Sequence, residues 1–139
     1  MAAPIPMGGP PGPVTRPGAL SLGDCAGLVS PLSGDGIYYA IESGRLAAEV
    51  LGGALEAGDL GAERLAAYGR AVRNGIGKEM AILTRVATRL RSEPVEMLRR
   101  AAADPSIPPL VVRMFQGEGN LRMTALKVYG RSLIAGLRK

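Results

Sequence analysis

The 139-residue chain contains no histidine and no tryptophan, a single cysteine, Cys25, and a single phenylalanine, Phe115. Without histidine there is no imidazole for a nucleophile-base triad or for a metal, and one cysteine forms neither an intrachain disulfide nor a thiolate zinc cluster. No segment reaches the roughly 18 uncharged apolar residues that span a bilayer. Phosphate-cradling glycine spacings are missing as well. Gly75 and Gly77 are followed by Met80, and Gly117 and Gly119 by Arg122, where G-x-G-x-x-G needs its third glycine. Gly77-Lys78 has Val72 where a Walker-type loop needs its first glycine. Side chains alone therefore offer little covalent or metal chemistry, which favours a bound cofactor as its carrier.

What the chain does have is globular material. An apolar content of 47% excludes wholesale disorder, and 139 residues bury a modest core. Seventeen basic against twelve acidic residues give a formal net charge of +5. That balance invites acidic partners: nucleic acid, diphosphate head groups or anionic lipid. With 4% aromatic residues and no nucleic-acid motif, no nucleic-acid partner is expected.

The most informative stretch runs from Gly18 to Ala48, G-A-L-S-L-G-D-C-A-G-L-V-S-P-L-S-G-D-G-I-Y-Y-A-I-E-S-G-R-L-A-A. It reads as a short apolar strand, Ala19 to Leu22, then Gly23-Asp24 at the strand's end, a loop punctuated by Pro31, Gly34 and Gly36, and a helix from Ile37. Gly23 lets the backbone turn where a side chain would collide with something lying on the strand. The Asp24 carboxylate can accept two hydroxyl hydrogen bonds, which suits a polyol. Pro31 stiffens the loop, and Gly34 and Gly36 allow positive φ and a close approach to a flat ligand. The free N–H groups at the start of the helix face the same space. The plainer alternative is a strand-turn-helix unit in which Asp24 only caps a turn. Several special residues in one short run favour a binding corner.

The run G-D-C-A-G-L-V-S-P-L-S-G-D-G-I-Y-Y-A resembles the second flavin-binding motif of FAD-dependent oxidoreductases of the glutathione-reductase-like superfamily, most closely the geranylgeranyl reductase family. The resemblance implies that Asp24, with Gly23, binds the ribityl hydroxyls of FAD. It implies too that Pro31, Gly34, Asp35 and Gly36 lie against the isoalloxazine ring, and that the helix from Ile37 aims its positive end at the pyrimidine carbonyl. Cys25 stands where the family has Ala, and Asp35 where it more often has Glu. A single Cys at an apolar strand-to-loop junction is expected to be a small buried hydrophobe. The Pro- and Gly-rich opening is similar to the family's crossover before the Gly-Asp strand, so the chain is expected to be a fragment that begins in that crossover. The implied organisation is residues 1–17 as crossover, 18–53 as the C-terminal part of an FAD-binding Rossmann-like domain, and 54–139 as a helical region. In fold class this is an α/β fragment, a strand-loop-helix followed by mostly helix.

The implied activity is reduction of isoprenoid double bonds by hydride from reduced flavin. Its partners are a polyprenyl or isoprenoid lipid and NAD(P)H or another electron donor, and its setting is cytoplasmic with peripheral membrane contact. No residue is identified as the proton donor. A flavin monooxygenase or halogenase of the same superfamily shares the Gly-Asp and glycine-loop elements, and a small basic binding module accounts for the charge without any cofactor. Salt-dependent retention on DNA with no flavin effect would single out the last.

Beyond the motif the spacing is helical. Ile37, Ala40, Ile41, Gly44, Ala47, Ala48 and Leu51 form one stripe, with Gly52-Gly53 as a stop. A second helix, Asp59 to Leu90, sets Leu65, Tyr68, Val72, Ile76, Met80, Leu83, Val86 and Leu90 on one side. Gly69, Gly75 and Gly77 weaken its middle by about 1 kcal/mol each relative to Ala, which predicts a kink or break. Tyr38, Tyr39 and Tyr68 flank a cofactor or serve as core residues with the hydroxyl at the edge. Ser92 reads as the N-cap of a helix to Ala103, Asp104 to Pro109 as a loop, Leu110 to Phe115 as a short helix and Gly117 to Asn120 as a turn. Leu121 to Lys139 reads as an amphipathic helix with Lys127, Arg131 and Arg138 opposite Leu126, Tyr129, Leu133 and Leu137. It is either a packed helix with a solvated face or one that lies on a membrane surface.

Overall fold

The computed structural model describes residues 4–115 together with Met123, Thr124, Lys127, Val128, Gly130 and Arg131. The chain is mostly helical and divides into two units, Met1–Ala81 and Ile82–Lys139. In the first, the Pro/Gly-rich opening lies along residues 27–29. The Gly8 N–H donates to the Val29 carbonyl at 3.0 Å, and the Gly9 N–H to the Gly27 carbonyl at 3.1 Å. Gly27 has φ +70°, and a Cβ there would fall 2.7 Å from the Gly9 carbonyl oxygen, so glycine is what lets the two backbones run this close.

A two-residue hairpin follows, β1 (Thr15–Arg16) antiparallel to β2 (Ala19–Leu20). The strand expected over Ala19 to Leu22 therefore ends two residues early, and Gly23-Asp24 opens a 3-10 turn, Gly23–Ala26, instead of finishing a strand. The backbone explains the difference. The Ser21 N–H goes to the Val14 carbonyl at 2.9 Å, and the Ser21 carbonyl takes the Tyr68 hydroxyl at 2.9 Å. The carbonyls of Gly23 and Asp24 accept from Leu28 and Gly27. With these groups satisfied locally, no ladder is left to extend. The expected order of strand, loop, helix and helical remainder is present. Among the described residues the hairpin is the sole sheet, and a Rossmann-like parallel sheet is not among them.

Helix α1 (Ile37–Glu56) starts where expected but runs through Gly52-Gly53. The Gly53 carbonyl accepts the Arg64 guanidinium at 2.7 Å, and Ala54 beside it is fully buried. Packing on the next helix thus offsets the two glycines. The buried face is Tyr39, Ser43, Ala47 and Ala54, so of the expected stripe only Ala47 is buried, while Ile37 and Ile41 are 75% and 69% exposed. Helix α2 (Ala62–Val72) continues through a π-helical turn at Arg73–Gly77 into α3 (Lys78–Ser92). The weakness expected near Gly75 and Gly77 is thus absorbed by one wide turn. Leu65, Tyr68, Val72, Ile76, Met80 and Leu83 are all buried, as the spacing requires, whereas Leu90 is 41% exposed.

In the second unit, α4 (Pro94–Ala103) and α5 (Ile107–Phe115) pack together. Ser92 is not an N-cap. It ends α3 with its hydroxyl donating back to the Arg89 carbonyl at 3.2 Å, and Pro94 opens α4. Helix α5 begins three residues before Leu110, drawing Pro108 and Pro109 into its first turn, where their missing N–H groups cost nothing. Asp104 organises that start: its Oδ1 accepts the Ser106 N–H at 2.9 Å, and its carbonyl accepts the Ile107 N–H at 3.0 Å. The Arg131 guanidinium bonds the Ser106 hydroxyl and lies 3.9 Å from Asp104. The six described residues beyond position 120 are helical. Leu126, Tyr129, Leu133, Leu137, Arg138 and the turn at 117–120 lie outside the described residues. Among the described residues no helix is long and apolar enough to cross a membrane.

Candidate functional site

The loop before α1 closes on one buried side chain, Ser30, which is 4% exposed. The Ser30 N–H donates to the Asp35 carbonyl at 2.9 Å, and its own carbonyl accepts the Gly34 N–H at 2.9 Å. Its hydroxyl accepts the N–H groups of Leu32 and Ser33 at 3.3 and 3.2 Å. Gly34, at φ +75°, supplies the left-handed step that closure needs. Asp35 then ties the loop to the start of the helix, its Oδ1 accepting the Ile37 N–H two residues on at 3.1 Å.

A second pin brings the Gly-Asp turn to the helix. Ser43, completely buried on α1, accepts the Gly23 N–H at 3.0 Å and donates to the Ala40 carbonyl at 3.1 Å. Gly23 sits at φ +49°, and a Cβ on it would lie 3.0 Å from the Ala40 Cβ. A Cβ on Gly36 would lie 2.6 Å from Asp24 Oδ1, so the glycine leaves the room in which that carboxylate stands beside the start of α1. Asp24 is exposed, and its carboxylate has no hydrogen-bond or ion-pair partner among the described residues.

Gly23, Asp24, Gly34, Gly36 and Ile37 come together along an open groove of about 590 Å³, joined by Leu22, Cys25 and Ala40. Two expected residues stand back from it: Pro31 is half-buried in the loop, and the Asp35 carboxylate is taken up by the Ile37 N–H. Cys25 corrects an expectation, because it is exposed at the groove rather than buried; on the 3-10 turn the inward position falls to Ala26, which is 2% exposed. Ser30 and Ser43 were not singled out from the sequence. Their signals are weak ones, a serine before a proline and a serine inside a run of small helical residues.

The tyrosines divide. Tyr39 is buried, and its hydroxyl donates to Glu79 Oε1 at 2.9 Å; burial first, then the Glu79 carboxylate, push its phenol far above the usual range. Tyr68 is fully buried, and burial raises its phenol as well. Tyr38 is 57% exposed and meets the Tyr39 ring edge-to-face at 5.1 Å. Chemically, the groove offers an unpartnered carboxylate, glycine backbone on either side of it, and the apolar Leu22, Ile37 and Ala40. The carboxylate can accept from the hydroxyl-bearing chain of a flavin, and the apolar residues can lie against its flat ring.

Comparison with known proteins supplies relatives. The chain is 38% identical over 77 residues to the digeranylgeranylglycerophospholipid reductase of Methanothrix thermoacetophila, a match that takes in 55% of this chain and 20% of that protein. It is 40% identical over 76 residues to digeranylgeranylglycerophospholipid reductase 1 of Methanothermobacter thermautotrophicus, covering 55% of this chain and 19% of that protein. It is 47% identical over 51 residues to the menaquinone reductase of Mycolicibacterium smegmatis, covering 37% of this chain and 12% of that protein. The match thus takes in about a fifth of the length of the first two relatives. No family model matches, and no solved structure matches.

Proposed function

We infer that this chain, which belongs with the geranylgeranyl reductase family over the stretch shared with those relatives, supplies the ribityl and ring side of a flavin site in an enzyme that reduces isoprenoid double bonds. The observation that carries the reading is the Asp24 carboxylate, unpartnered and held beside Gly36 at the start of α1. Asp24 accepts hydrogen bonds from two ribityl hydroxyls, and Gly23 and Gly36 keep the approach clear of side chains. Leu22, Ile37 and Ala40 give the ring an apolar wall that excludes water. The chemistry that a flavin supplies when bound is hydride transfer to a carbon–carbon double bond. Asp35 holds the Ile37 N–H, leaving the neighbouring N–H groups of the first turn to favour negative charge on the ring.

The substrate class is an isoprenoid lipid, because the relatives are named for a geranylgeranyl phospholipid and for menaquinone, both of which carry isoprenoid chains. NAD(P)H or another donor supplies the electrons, and the enzyme works at a membrane surface. The test is a chimaera in which this chain replaces the matched stretch of one of those reductases. It is expected to purify with FAD and, with dithionite as reductant, to saturate geranylgeranyl chains. A folded chimaera that binds no FAD would refute the reading.

A further inference from the structure

We propose that the exposed face of α4 is a docking surface for an anionic lipid bilayer. The starting observation is the distribution of charge. Residues 82–139 carry eleven basic and four acidic side chains, a formal net charge of +7, while residues 1–81 carry six and eight, a net of −2. All of the chain's positive excess therefore belongs to the second unit. Within that unit, α4 is the helix with no buried residue. Val95 and Leu98 are 61% and 68% exposed, and Ala102 is exposed too. Their spacing of three and four places them on one face with Arg99.

The acidic residues nearby do not oppose an anionic partner. Glu93 pairs with Arg89 at 3.1 Å and Glu96 with Arg100 at 2.8 Å, each within one helical turn. Arg91 and Arg99, both exposed, have no acidic partner among the described residues. The face therefore presents apolar side chains beside the uncompensated guanidinium of Arg99, while Arg91, in the last turn of α3, adds a second uncompensated charge to the same unit. Val95 and Leu98 can enter the boundary between head groups and acyl chains, while the Arg99 stem lies along it and its head meets lipid phosphate. A polar protein partner would have no use for the valine and the leucine, and duplex DNA would make no use of them either. An anionic bilayer uses both features.

The surface shares no residue with the Asp24 groove and needs no flavin, so its test leaves the flavin reading untouched. The whole chain is mixed with sedimentable vesicles of phosphatidylcholine, with or without roughly one third phosphatidylglycerol, at low and raised salt. Binding is expected to rise with phosphatidylglycerol and to fall with salt. The variant Arg99→Gln should weaken it by about fivefold. A second variant, Val95→Ser/Leu98→Ser, should bind more weakly, with the remaining binding still falling as salt rises. Equal binding to neutral and anionic vesicles, no loss in either variant, or retention on duplex DNA with none on vesicles would overturn the proposal.

Discussion

The two units use their sequence differently. Residues 1–81 contain every positive-φ glycine found among the described residues, from Gly8 to Gly58, and both buried polar side chains, Ser30 and Ser43. Residues 82–139 contain no positive-φ glycine and no buried polar residue among the described residues, though the Thr84 hydroxyl oxygen is buried; their α4 buries no side chain, and the charge there is strongly basic. In the first unit, backbone geometry is specified position by position, as a ligand corner requires. In the second, amphipathic spacing and charge dominate, as a surface requires. A substitution should therefore cost most where a glycine or serine fixes a backbone approach, and least where a charge sits on an outer helix face.

The largest expected effect is Gly27→Ala. It puts a side chain at φ +70° and 2.7 Å from the Gly9 carbonyl oxygen, and should lower stability by about 2–4 kcal/mol. Denaturant unfolding measures it, and a loss of a few tenths would show that residues 8–9 do not pack on residues 27–29 as described. Next is Ser43→Ala, which strands the buried Gly23 N–H and should cost about 1–3 kcal/mol. A loss as small as that of an exposed helix position would deny the pin.

Third is the response to alkali. The phenols of Tyr39 and Tyr68 titrate higher in the folded chain than when unfolded. The stability this contributes is fully present below the unfolded value of about 10 and is lost as pH rises above it. Unfolding followed between neutral pH and strong alkali should show that decline, and Tyr39→Phe, which also gives up the bond to Glu79 for about 1 kcal/mol at neutral pH, should flatten it. The smallest effect belongs to the second unit. Arg89→Gln breaks an exposed i, i+4 pair with Glu93 and should change stability by less than about 1 kcal/mol. A larger loss there would erase the contrast between the units.

Much of this contrast is legible in the residues themselves. The start of α1 after Gly36, the buried stripe from Leu65 to Leu83 and the weakness at Gly75 and Gly77 all follow from local rules of propensity and period. What local rules miss depends on distant partners. Gly52-Gly53 reads as a stop until Arg64 and the burial of Ala54 are seen to hold the helix through it. On α1 two stripes are apolar or small, and spacing alone does not say which is covered; Tyr39, Ser43 and Ala47 face inward while Ile37 and Ile41 stay exposed. Cys25 is exposed because a 3-10 turn replaces the end of a strand, a switch decided by Val14, Ser21 and Tyr68. Within the candidate site, the glycines and Asp24 are recognisable from their types and spacing. The two serines that position them are not, since a buried serine looks like any other small residue until its hydrogen bonds are seen.

The role of Asp24 is tested most directly by FAD affinity in the chimaera with a matched reductase, comparing the natural chain with Asp24→Ala. Two charge-assisted hydrogen bonds to ribityl hydroxyls are worth about 2–4 kcal/mol, so the dissociation constant should rise roughly 30- to 1,000-fold, and the purified variant should be pale. A variant that folds, stays yellow and binds FAD with unchanged affinity would contradict the assignment of Asp24 and, with it, of the groove beside α1.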